Sequence, residues 1–245
     1  MKASSLGTIG TVLGVVGGLM HLGSSLLNDI ETETDELSRA FDSEKLRDTP
    51  IDTKYYRVKS IDDRLKILAK LAIEYKLNNM VHRVATVLAR VAANRYGERN
   101  QEAQASYIFT FMKHYVTYVS DALMVDTYQT PARTLTLRRG DCDDFSTTIA
   151  ALAMNMGIPV AYKVIKVALG PDEIKRLIAA GKKPEPDWTH IYPLLAIQRK
   201  NGRRVWWPLD ATVKHKPMGW EDTNRIVEWK VYDVNGKTLA QHKQS

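Results

Sequence analysis

Arg139-Gly140-Asp141-Cys142-Asp143-Asp144-Phe145 is the stretch that decides how this chain is read. Ile149, Leu152, Ala153 and Met156 follow it at helical spacing, and Gly157 and Pro159 close the run. The pattern predicts a helix over about 142–156, with Asp141 as its N-cap and Gly157 as its C-cap. Asp144, at the third helical position, can return a hydrogen bond and complete a capping box. Cys142, the one cysteine of the chain, then lies in the first turn. Free N–H groups and the positive end of the helix dipole favour a thiolate there, while Asp143 and Asp144 repel it. A histidine is therefore needed beside the sulfur, and with it Cys142 is expected to be a reactive, low-pKa thiol.

Downstream, Trp188-Thr189-His190-Ile191-Tyr192 supplies a histidine, and Trp206-Trp207-Pro208-Leu209-Asp210-Ala211-Thr212 supplies a carboxylate. Cys142, His190 and Asp210 are thus a nucleophile, a base and an orienting acid in chain order, the parts needed for thiol acyl transfer. His190–Gln198 and Arg203–Leu209 read as strands around Asn201-Gly202, a two-residue hairpin signal. A regular two-residue loop pairs Lys200 with Arg203 and sets Pro193 opposite Asp210, which puts His190 and Asp210 on opposite faces. A one-residue bulge or a longer loop instead sets Tyr192 opposite Asp210, with His190 its diagonal neighbour on the same face. The triad reading requires the second register.

The Gly-Asp-Cys-Asp-Asp block, the helix ending at Met156-Gly157-Ile158-Pro159, the His190-Ile191-Tyr192 strand and Pro208-Leu209-Asp210-Ala211-Thr212 together resemble the transglutaminase-like superfamily of papain-type thiol enzymes. Gln129-Thr130-Pro131 resembles that family's approach to the cysteine. Pro217-Met218-Gly219-Trp220-Glu221 is similar to a segment of bacteriophage-borne members, so the likeness covers roughly 105–221. It implies an α+β fold, a papain/transglutaminase-like core with the cysteine helix packed on an antiparallel sheet. It also implies Cys142, His190 and Asp210 as catalytic residues and an oxyanion near the Cys142 N–H. Gln129 is a candidate for the second oxyanion donor, or a turn residue.

Around this core the expected elements are mostly helical. Ser60 can cap a helix carrying Leu65, Leu68, Leu71, Ala72 and Tyr75 on one face, and a second helix is expected over about Asn79–Arg95. A third is expected from about Asn100 to Leu123, with Tyr107, Phe111, Tyr115 and Tyr118 as a core stripe. A strand over Val160–Val167, a helix over Asp172–Ala180 and a last strand over Ile226–Tyr232 before a polar tail complete the reading. Trp188, Trp206, Trp207 and Trp220 are core residues by default and could wall a cleft.

Residues 28–58 read as an acidic linker, with nine acidic and three basic residues between Asp29 and Asp52. Residues 1–27 form an apolar, Gly-rich segment, and 59–245 hold the helical region and catalytic domain. Leu6–Leu27 has no charged residue and can cross a bilayer as a helix. Gly10, Gly14 and Gly18 lie four apart, as in close-packed membrane helices. A membrane-active helix, an assembly arm and a signal peptide are the three readings of it. The net charge of +7 sits toward the second half without a nucleic-acid motif, which argues against nucleic acid as the partner. No metal-ligand spacing is present, and thiol acyl transfer needs no cofactor.

The resulting expectation is a cysteine peptidase or amidase acting on a protein, peptide or cell-wall peptide, phage-encoded and associated with virion or membrane. The alternatives are a protein-crosslinking transglutaminase and a non-catalytic virion or membrane-assembly protein that retains the fold. One cysteine permits no internal disulfide and leaves the redox compartment open.

Overall fold

The computed structural model describes residues 58–121, 127–199, 202–221, 223 and 225–243. The apolar segment 1–27 and the acidic linker lie outside the described residues, apart from 58 at the linker's end. Three helices come first: α1 (Ile61–Tyr75), α2 (Asn79–Tyr96) and α3 (Gln101–Tyr115). Each starts where a side chain accepts from an otherwise orphaned N–H: Ser60 from Asp63, Asn78 from Met80 and Asn100 from Ala103. Next come β1 (Thr117–Tyr118), α4 (Pro131–Leu137), β2 (Arg139–Gly140) and α5 (Cys142–Asn155). The rest is β3 (Val160–Val167), α6 (Pro171–Ala179), β4 (Trp188–Gln198), β5 (Arg204–Pro208), β6 (Ile226–Asp233) and β7 (Thr238–Lys243).

The last five strands form one antiparallel sheet in the order β5-β4-β3-β6-β7. Period-2 alternation divides its side chains between two cores. Tyr162, Val164, Ile191, Leu195 and Ile197 join the core made with α5, where Ile149, Leu152 and Ala153 are fully buried. Ala161, Ile165, Tyr192, Leu194, Ile226 and Val231 form a second cluster on the other face. Ser146 Oγ donates to the Ile191 carbonyl at 3.1 Å, which ties the first turns of α5 to the start of β4. The α+β class and the helix-on-sheet core agree with the sequence reading.

Two expectations are corrected, and the hairpin takes the longer-loop register that the triad reading demands. The third helix stops at Tyr115 instead of running to Leu123, because Val116 turns extended (φ −113°, ψ 125°) and Thr117–Tyr118 pairs in parallel with Arg139–Gly140. Tyr118 thereby leaves the aromatic stripe, while Tyr107 and Phe111 stay buried in it. The polar tail is a strand: Gly236 at φ +79° turns the chain, and β7 pairs with β6. The hairpin loop is one residue longer than a two-residue turn. Gln198 pairs with Arg204 and the Arg199 N–H donates to the Arg203 carbonyl at 2.8 Å, so the loop is 200–202. Gly202, at φ +77°, takes the left-handed position that three-residue hairpin loops require.

Candidate active site

That extra loop residue has a chemical consequence. Leu194 pairs with Pro208, and the Leu209 N–H donates to the Pro193 carbonyl at 2.9 Å. Continuing this register sets Asp210 opposite Tyr192 and diagonal to His190, the arrangement the triad reading requires. His190 Nε2 and Asp210 Oδ2 are 2.7 Å apart. Asp210 Oδ1 accepts from the Thr212 N–H at 3.1 Å and from Thr212 Oγ1 at 2.6 Å. Burial pushes the Asp210 carboxyl up, but the bonds and charge from His190 and the Thr212 bonds outweigh it and hold it below the usual range. Nδ1 is the imidazole nitrogen this arrangement leaves for proton exchange.

The cysteine helix begins as its sequence predicts. Asp141 Oδ1 accepts from the Asp143 and Asp144 N–H groups at 2.9 and 3.2 Å, and Asp144 Oδ2 accepts from the Asp141 N–H at 3.3 Å. This is the full capping box. Asp144 is only 1% exposed and also accepts from the Gln129 N–H and from Gln129 Nε2, both at 2.7 Å. Burial and then repulsion from Asp141 push its carboxyl up to about 7, against the lowering effect of the Gln129 bonds. Gly140 must be glycine: a Cβ there would lie 2.6 Å from Asp144 Cβ and 2.7 Å from Oδ2.

This geometry does not fit Gln129 as an oxyanion donor. Its amide nitrogen donates to Asp144 Oδ2 and to the Arg139 carbonyl at 3.3 Å, so both hydrogens are committed to holding the approach segment on the helix start. A group the sequence reading assigned to the core lies in the electrostatic field of the site residues. Tyr118 pairs with Gly140, two residues before the cysteine, and its ring tilts against Phe145 at 6.2 Å between centroids. Burial first, then the charges of Cys142, Asp141, Asp143 and Asp210, push its phenol up to about 12. Tyr118 is thus a half-exposed, protonated donor among the site residues. Its signal in the sequence was the β-branched Val116-Thr117 pair that ends the helix just before it.

Cys142 and His190 line one cleft with Ile61, Arg64, Asp143 and Trp188. Among the described residues no hydrogen bond joins the sulfur to the imidazole. Cys142 Sγ instead lies 4.0 Å from Asp143 Oδ1, and the Ile191 N–H also acts on it. Burial and the Asp143 and Asp141 carboxylates push the thiol well up, and the Ile191 N–H and Arg64 only partly oppose this. Burial and the neighbouring carboxylates thus work against the low-pKa thiol expected at this helix start beside His190. The helix dipole acts on the sulfur, but two nearby carboxylates and burial outweigh it. Arg64 Nε, from α1, lies 3.9 Å from Asp143 Oδ2.

Of the four tryptophans considered for the cleft wall, Trp188 lines it, with Lys166 and Lys230 over its ring at 4.7 and 5.3 Å. Trp207 is buried in the core beneath Arg199. No cluster of three potential metal ligands occurs among the described residues, and no described helix is long and apolar enough to cross a membrane. Leu6–Leu27 lies outside those residues.

Among solved structures, a candidate protease from Parabacteroides distasonis is 11% identical with a TM-score of 0.46, the match covering 74% of this chain and 31% of that one. A candidate cysteine protease from Cytophaga hutchinsonii is 19% identical, with a TM-score of 0.36, 65% of this chain and 43% of that one. Legionella pneumophila LapG is 13% identical, with a TM-score of 0.37, 67% of this chain and 82% of that one. The chain thus spans less than half the length of the first two. No curated protein matches it. The profile of the transglutaminase-like superfamily matches residues 89–211, which is half of the 245-residue chain and runs from within α2 through Asp210 to Ala211. The chain belongs to the transglutaminase-like superfamily.

Proposed function

We propose that the protein is a thiol-dependent acyl-transfer enzyme in which Cys142 attacks an amide carbonyl. The observation that carries this reading is the 2.7 Å His190–Asp210 pair in one cleft with the helix-capped Cys142. Attack and proton transfer to His190 Nδ1 are coupled when substrate closes the gap between them. Catalytic hydrogen bonds commonly tighten in this way on substrate binding. The sulfur–carbon bond forms as the proton moves to the imidazole. Asp210 stabilises the resulting imidazolium, which then protonates the leaving amine as the carbon–nitrogen bond breaks. The Cys142 N–H and the Tyr118 hydroxyl would hold the oxyanion.

Water is the favoured acceptor, making the protein a cysteine peptidase or amidase, in line with the resemblance to bacterial and phage-borne members of the superfamily. Incubation with a peptide amide and a fluorescent primary amine separates the outcomes. Release of free acid without amine incorporation supports hydrolysis, whereas stoichiometric incorporation identifies a crosslinking transferase. A Cys142→Ala protein that retains either activity rejects the thiol mechanism altogether. For Leu6–Leu27 we retain the membrane-active reading on its uncharged length.

A further inference from the structure

We propose that Glu221 is a positioning residue for His190, holding Tyr192 near the imidazole and cancelling the charge of Lys163, the buried cross-strand partner of Tyr192. The inference rests on the thiol-enzyme reading above. Glu221 belongs to the Pro217–Glu221 segment, outside the residues the superfamily profile matches. Its Oε1 accepts from Tyr192 Oη at 2.6 Å and from Lys163 Nζ at 2.7 Å. Tyr192 and Lys163 are direct cross-strand partners in β4 and β3. The Tyr192 ring in turn lies 5.7 Å from the His190 ring, centroid to centroid. One carboxylate therefore joins two sheet strands to the loop that carries Asp210.

The loop is anchored at other points, so Glu221 is not needed merely to keep it in place. The Gly219 N–H donates to the Pro208 carbonyl at 3.1 Å, Met218 is buried, and Lys113 Nζ donates to the Lys216 carbonyl at 2.8 Å. What Glu221 adds is charge and orientation. Lys163 is 8% exposed, with its ammonium 6.0 Å from the Tyr192 ring centre and 5.1 Å from that of Trp229. An ammonium this buried requires a counter-charge. Without Glu221 it would act on the imidazolium that forms during acyl transfer.

The other charged or titratable groups around His190 are Asp210 from the strand end, Cys142 and Asp143 from α5, Arg64 from α1, Tyr118 from β1, Lys166 from β3 and Lys230 from β6. None of these is altered by a change at Glu221 or Lys163, so the two variants isolate the charge pair. Glu221→Gln keeps the acceptor and removes the charge. The uncompensated ammonium then disfavours the imidazolium, and the basic form of His190 persists to lower pH.

Acylation of Cys142 by p-nitrophenyl acetate, followed between about pH 5 and 9, tests this. Wild type must first exceed His190→Ala, and equal rates overturn the thiol-enzyme reading itself. Given that difference, the acid limb in Glu221→Gln should move down by about one pH unit. The Lys163→Met/Glu221→Gln double variant should restore it, which a purely structural role would not do. An unmoved limb in Glu221→Gln, or a shift that the double variant fails to reverse, overturns the inference. Should Glu221→Gln not fold, Tyr192→Phe removes only the hydroxyl. It should slow acylation several-fold with the limb in place, and a wild-type rate there overturns the positioning role.

Discussion

Two buried carboxylates hold the neighbours of Cys142 and His190, and their surroundings drive them in opposite directions. Asp144, at the helix entry, accepts three N–H bonds, and burial with the Asp141 charge holds it up to about 7. Asp210, at the strand end, is also buried, yet His190 and Thr212 hold it below its usual range. The difference separates a carboxylate that builds the site from one placed to act in it. Asp144 keeps Gln129, Gly140 and the first turn of α5 in register. Asp210 is paired with His190, the base of the proposed mechanism.

The sharpest way to break this contrast is Asp210→Asn. An amide can hold the imidazole in the wrong tautomer, a change that costs about 10⁴-fold in a serine triad. The folded protein should retain its thermal midpoint at neutral pH within a few degrees and lose acylation on that scale. Wild-type turnover would move Asp210 to the structural side.

Tyr118→Phe extends the comparison to the oxyanion. Loss of one such donor typically costs about 10²–10³-fold in turnover. Acylation by p-nitrophenyl acetate should fall by about that factor, while alkylation by iodoacetamide, which forms no oxyanion, stays near wild type. Parallel losses in both reactions would reduce Tyr118 to a packing residue.

The two carboxylates should also leave opposite marks on stability. A carboxyl raised in the folded state favours the protonated fold. The Asp144 contribution is thus full below the ordinary value of 3.8 and lost as pH rises toward about 7. The lowered Asp210 works the other way: its contribution is present above 3.8 and lost as pH falls through its folded value. Asp144→Asn should therefore remove a downward slope in thermal midpoint between about pH 4 and 7, and Asp210→Asn should leave that slope intact. The variant will also be weaker overall by about 1–3 kcal/mol, since an amide donor would face Gln129 Nε2. Identical slopes in wild type and Asp144→Asn would show that Asp144 is ionised throughout.

Much of this site was legible in the residues. Asp141 and Asp144 flank Cys142 at capping spacing, so the helix start could be read directly, as could the strand alternation around Val160–Val167. The His190–Asp210 pairing was conditional on loop length, and one residue between Arg199 and Arg203 decided it. What could not be read depended on distant partners. Tyr118 continues a helical aromatic period, and only its pairing with Gly140 takes it out of the helix. Glu221 and Lys163 are 58 positions apart and meet only through the sheet. The upward push on the thiol comes first from its own burial and then from Asp143, 4% exposed beside the sulfur, and no local pattern encodes either.

The smallest expected effect on the chemistry lies outside the comparison. Deleting residues 1–27 should leave acylation of Cys142 unchanged, because Cys142, His190 and Asp210 all lie beyond residue 140. Liposome flotation should be lost with the segment. A full-length protein that ignores both anionic and neutral liposomes would favour the assembly-arm reading.

Intact-protein mass spectrometry after brief exposure to an amide-mimicking thiol acylating probe tests the central claim, that Cys142 is a nucleophile served by His190, most directly. The site described above predicts one adduct, mapped to Cys142, absent in Cys142→Ala and reduced to a trace in His190→Ala. Equal labelling of wild type and His190→Ala, or a wild-type rate no higher than that of a free peptide thiol, would contradict it.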